Sequence, residues 1–79
     1  MTIKEIDLEF KKINFELRIN KPNSAPYPPD VDKHRTLLLY AQVMLEFIID
    51  AKKRRDKYEE KYYQFRYWVY MDIYFNRKN

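Results

Sequence analysis

Apolar and polar residues alternate over residues 3–19. Asp7 and Glu9 separate Ile6, Leu8 and Phe10. Asn14, Glu16 and Arg18 separate Ile13, Phe15, Leu17 and Ile19. A period of two predicts strands. The parity switches at Lys11-Lys12. A two-residue turn there pairs Phe10 with Ile13, Leu8 with Phe15 and Ile6 with Leu17, all on one face. Lys-Lys is a poor choice for such a turn, which favours Asn-Gly or Asp-Gly. A helix is the competing structure. Thr2 and Glu5 have the spacing of a capping box. Ile3, Ile6, Phe10, Ile13 and Leu17 then form one stripe, with Leu8, Phe15 and Ile19 on the opposite side. The hairpin leaves fewer apolar positions unexplained, so residues 1–19 are expected to form a β-hairpin.

Residues 20–31 hold four prolines and read as a semi-rigid connector. Asp30 or Asp32 is a natural N-cap for the helical region after the connector. Residues 32–77 lack Gly and Pro and are rich in helix formers. Leu37, Ala41, Met44, Ile48, Ala51, Arg55, Tyr58, Tyr62, Phe65 and Val69 recur at alternating spacings of 4 and 3, an a/d heptad pattern with one charged interruption. Two structures fit. One is a single long helix. The other is a helical hairpin turning near Lys52–Asp56. The heptad phase runs unbroken through Lys-Lys-Arg-Arg-Asp-Lys, which holds no obvious turn residue, and this favours the single helix. The expected fold is therefore α+β, a single domain over residues 1–79: β-hairpin, Pro-rich connector, then a long amphipathic helix or helical hairpin. An all-α fold is the alternative.

Composition narrows the chemistry. The 79 residues include no Gly and no Cys. Disulfides and cysteine-based zinc sites are excluded, as are glycine-dependent phosphate loops and the nucleophile elbow. A chain this short buries only about 60% of its unfolded surface, so a partner chain is expected to complete the core. Residues 1–20 carry four charges of each sign, unlike a secretory signal. The longest uncharged stretch in the apolar half is Thr36–Leu45, too short for a membrane span. A cytoplasmic protein is the default expectation. Codon arithmetic points to an AT-rich genome, because Lys, Asn, Ile, Phe, Tyr and Met dominate.

Candidate catalytic groups are sparse. His34 is the one histidine, with Asp30 and Asp32 near it in sequence but no nucleophile beside them. These three could offer ligands to a metal, without a second cluster to complete the site. Glu46 and Asp50 sit one helical turn apart and are expected to pair with Lys53 and Arg54. No catalysis, metal or cofactor is expected from these groups.

Two features carry more weight. Net charge is +4, and the excess is concentrated in Lys52, Lys53, Arg54, Arg55 and Lys57, a basic patch able to meet phosphates. The C-terminal segment is densely aromatic. Tyr58, Tyr62, Phe65 and Val69 continue the heptad seam of Leu37, Met44 and Ile48, which is expected to bury a second copy of the chain. Tyr63, Tyr67, Tyr70 and Tyr74 form another seam roughly 130° away. With Trp68, these tyrosines are the expected interface for another protein, since Tyr and Trp dominate binding hot spots. The expected function is a non-enzymatic protein-binding module: a phage or mobile-element inhibitor or regulator, or an accessory subunit of a larger assembly. The alternative is a small nucleic-acid-binding protein using residues 52–57.

Overall fold

A computed structural model of the chain describes residues 1–19 and 29–78, with side chains from Met1 to Ile19 and from Lys33 to Asn76. Three helices occur in order: α1 (Ile3–Ile19), α2 (Pro29–Lys53) and α3 (Lys57–Lys78). No strand occurs among the described residues. The fold is all-α, which corrects the expected N-terminal β-hairpin.

The correction has a local cause. The capping box at Thr2 and Glu5 is formed. Thr2 Oγ1 accepts from the Glu5 amide at 3.2 Å, and Glu5 Oε1 accepts from the Thr2 amide at 3.3 Å. The carboxyl of Glu5 is held below the usual range by these bonds to Thr2, the backbone one foremost. Ile6 and Ile13 are buried, and Phe10 and Leu17 pack against the same core. Leu8, Phe15 and Ile19 lie exposed on the other side. Two apolar stripes on one helix read as alternation along the chain, and that imitates a strand.

The helical region is a hairpin, not one long helix. Helix α2 stops in a Schellman motif. The Arg55 amide donates to the Lys52 carbonyl at 3.1 Å, and the Asp56 amide to the Ala51 carbonyl at 2.9 Å. Arg55 takes the left-handed conformation, with φ of 58°, where glycine is the usual residue. Asp56 then caps α3: its Oδ1 accepts from the Glu59 amide at 3.0 Å. Arg54 binds Asp50, Asp56 and Glu59 around the turn. A cap and a Schellman closure therefore break the chain where the heptad phase suggested continuity. Helix α2 begins at Pro29, and a first-turn proline sacrifices no helical hydrogen bond. The connector expected at 20–31 is thus helical from Pro29 onward, and its remainder lies outside the described residues.

The bundle measures 44 × 18 × 18 Å. Helices α2 and α3 are antiparallel: Phe47 stacks on Tyr63 at 5.1 Å, and Tyr40 on Tyr70 at 5.7 Å. Helix α1 runs parallel to α3 and antiparallel to α2. Asn14 accepts from Gln42, and the Leu17 carbonyl accepts from Arg35 at 3.0 Å. Ile6 and Ile13 meet Leu38, Ala41, Leu45, Ile48, Tyr67, Met71 and Tyr74 in one core. Two tyrosine hydroxyls cross this core. Tyr74 donates to Glu16 at 2.7 Å, and Tyr67 donates to Glu9. Glu9 and Glu16 are seven residues apart, as are Tyr67 and Tyr74, so two equivalent rungs fix the register of α1 on α3.

Candidate protein-binding surface

The turn at Arg54–Asp56 decides which face of α3 looks inward. Tyr67 and Tyr74 are fully buried, and Tyr63 and Tyr70 are half-buried against α2 and the core. Four of the five residues expected at a protein interface therefore pack largely within the chain. Trp68, the fifth, is 45% exposed. Burial raises the Tyr67 hydroxyl far above its ordinary pKa, and the bond to Glu9 adds to the effect.

The expected oligomer seam divides between two environments. Its α2 half faces inward, with Ile48 buried and Leu37 and Met44 partly buried. Its α3 half faces solvent: Tyr58 is 83% exposed and Phe65 is 68% exposed, and Tyr62 and Val69 are exposed too. At 100° per residue, Tyr58, Tyr62, Phe65 and Val69 fall within about 60° of one another, on the side of α3 opposite Tyr67. Trp68 borders the stripe.

A groove lies on each side of this ridge. One, of about 420 Å³, runs between Phe65 and Val69 on one wall and Lys12 and Phe75 on the other. The second, of about 280 Å³, is bounded by Tyr62, Arg66 and Tyr70. Arg66 is fixed between those two tyrosines. Its Nη1 donates to the Tyr62 hydroxyl at 2.9 Å, its Nη2 donates to Tyr70, and its guanidinium lies 5.8 and 5.5 Å from the two ring centres. These contacts hold Tyr62 and Arg66 in place before any partner arrives. The sequence pattern did not single out Arg66. Its spacing of four residues from both Tyr62 and Tyr70 was the available signal.

Apolar residues are also exposed on the other two helices. Leu39, Tyr40, Val43 and Phe47 are exposed on α2, and Leu8, Phe15 and Ile19 on α1.

The basic patch is partly neutralised by its own chain. Lys52 pairs with Glu60, which lowers the Glu60 carboxyl pKa. Arg54 is shared among three carboxylates. No ion pair involves Lys53, Arg55 or Lys57 among the described residues. Asp50 meets Arg54 as expected, at 2.9 Å. His34 lies edge-on against the Tyr74 ring at 5.7 Å. The side chains of Asp30 and Asp32 lie outside the described set. Among the described residues, no three His, Cys, Asp or Glu side chains gather closely enough to hold a metal ion. No described helix is long and apolar enough to cross a membrane.

Comparison with known proteins adds no further constraint: no family model, no curated protein and no solved structure matches the chain.

Proposed function

We propose that this chain is a non-enzymatic protein-binding module that works through the outward face of α3. One observation carries the reading. A helix already packed on two neighbours keeps Tyr58, Tyr62, Phe65, Trp68 and Val69 exposed in one continuous stripe. Monomeric proteins rarely expose large contiguous apolar patches unless a partner covers them. Tyrosine and tryptophan suit such a surface, because each offers a large apolar ring and a polar edge. The module would serve as a regulator, an inhibitor or an accessory subunit, depending on what it binds.

The nucleic-acid alternative has weaker support. Lys52 and Arg54 already face carboxylates of their own chain, which leaves Lys53, Arg55 and Lys57 for phosphate.

The test uses the immobilised full chain and its Tyr62→Ala/Phe65→Glu variant. Both altered side chains are exposed, so the fold should persist by circular dichroism. The binding-module reading expects protein ligands held by the wild type and released by the variant. Equal retention by both forms would remove this face from consideration. Salt-sensitive capture of DNA or RNA, abolished by neutralising Lys53, Arg55 and Lys57, would favour phosphate binding instead.

A further inference from the structure

Aromatic side chains of α2 and α3 close into a ring that contains a cation. Tyr40, Val43 and Phe47 are spaced by 3 and 4, so they share one face of α2, and all three are exposed. Between the helices Tyr40 meets Tyr70, and Phe47 meets Tyr63. Tyr63 lies edge-on to Tyr62 at 5.4 Å, and Arg66 bridges Tyr62 to Tyr70. The circuit Tyr40–Tyr70–Arg66–Tyr62–Tyr63–Phe47 is therefore continuous, and Arg66 supplies its charge.

Arg66 is held but not neutralised. Its partners are two hydroxyls, and no ion pair involves it among the described residues. Glu59, two turns earlier on the same side of α3, is taken by Arg54. A guanidinium has five N–H donors, and the two tyrosines use two of them. Each hydroxyl accepts from Arg66, and neither donates its own proton among the described residues. The site thus holds unused N–H and O–H donors side by side and no acceptor to match them.

The group that completes it is an acceptor with negative charge. The number of cations selects which one. A nucleic-acid strand carries a charge at every nucleotide and needs several cations to answer it. One guanidinium answers one carboxylate, and its planar fork matches the two carboxylate oxygens. The surroundings are apolar on both flanks. The groove of about 280 Å³ along Phe65 and Val69 lies on one side of Arg66, and the exposed stripe of Tyr40, Val43 and Phe47 lies on the other.

We propose that the α2–α3 face binds a segment of another protein through a glutamate or aspartate side chain seated on Arg66 beside the Tyr62 and Tyr70 hydroxyls, with apolar side chains of that segment on either flank. This rests on the reading of the chain as a protein-binding module. It extends the surface from α3 across to α2 and specifies the chemistry of the partner. Tyr62 and Tyr70 already hold the guanidinium, so it loses little freedom when the carboxylate arrives.

Panning the full chain against a library of random displayed peptides tests the partner chemistry. The expected result is enrichment of peptides with an acidic residue between apolar ones. The strongest of these is then titrated by fluorescence anisotropy, beside a version carrying the matching amide in place of the acid. Wild type should prefer the acidic form about tenfold or more, the effect of a charge-assisted hydrogen bond. Arg66→Met should bind the two forms equally, with helix content unchanged because the side chain is exposed. Arg66→Lys should fall between, since it keeps the charge and loses the fork. Enrichment of peptides without an acid, or of none, would overturn the proposal. So would an acid preference that survives Arg66→Met, or tighter binding of oligo-dT that Arg66→Met abolishes. If peptides bind without regard to the acid and are released by Phe65→Glu, the carboxylate site fails and the binding-module reading stands.

Discussion

Arg55 holds the reversal of the chain in a conformation that costs any residue with a Cβ. At φ of 58° its side chain crowds the backbone, a penalty of about 1 kcal/mol that glycine avoids. Arg55→Gly should therefore raise stability by about 1 kcal/mol, seen as a rise of several degrees in the thermal midpoint. A fall would mean that the arginine side chain contributes more than its backbone strain removes. Tyr67 makes the second residue-scale prediction. Burial and the bond to Glu9 push its pKa above the ordinary value of about 10. A folded pKa above the unfolded one favours the folded state below pH about 10. That contribution is lost as pH rises further. Ultraviolet titration should show Tyr67 ionising only as the fold opens. Ionisation of all tyrosines in one step near pH 10, with the helix content intact, would contradict this.

At the scale of elements, two Tyr–Glu rungs tie α1 to the hairpin across the core. Glu16 is buried, so removing the Tyr74 hydroxyl deprives an interior carboxylate of a donor. Tyr74→Phe should cost about 1–3 kcal/mol, the usual range for taking a partner from a buried polar group. Amide exchange should accelerate in α1 more than in the α2–α3 hairpin. Uniform acceleration would show that the three helices open as one unit. The elements also show what could be read from residues alone. The Thr2–Glu5 box and the stripe from Ile6 to Leu17 were visible signals for a helix. The second stripe, Leu8, Phe15 and Ile19, outweighed them because its residues fall between the first set and produce a period of two. Asp56 and Glu59 had capping-box spacing at the start of α3. The surrounding run of basic residues and the continuous heptad phase concealed it.

At the scale of the whole molecule, acid should loosen the bundle by a predictable route. The carboxyl of Glu60 is lowered by its bond to Lys52, and that of Glu5 by its bonds to Thr2. A folded pKa below the unfolded one contributes stability above pH about 4.3, and this is lost as pH falls through the folded value. Glu60→Gln should flatten the acid limb of a stability-against-pH curve, because the ion pair joining the end of α2 to the start of α3 is then absent at every pH. An unchanged acid limb would assign the loss to other carboxylates. The sequence by itself determined where α2 and α3 carry their apolar residues, that aromatic side chains dominate α3, and that glycine- and cysteine-dependent chemistry has no residues to work with. These depend on residue identity and spacing, which are local properties. Only the tertiary structure decided which aromatic seam is core and which is surface. Two seams about 130° apart on one helix have similar apolar content, so neither is inward by its own nature. The closure at Arg54–Asp56 sets the direction in which α3 returns. That direction buries Tyr67 and Tyr74 against α1 and α2 and leaves Tyr58, Tyr62, Phe65 and Val69 facing out.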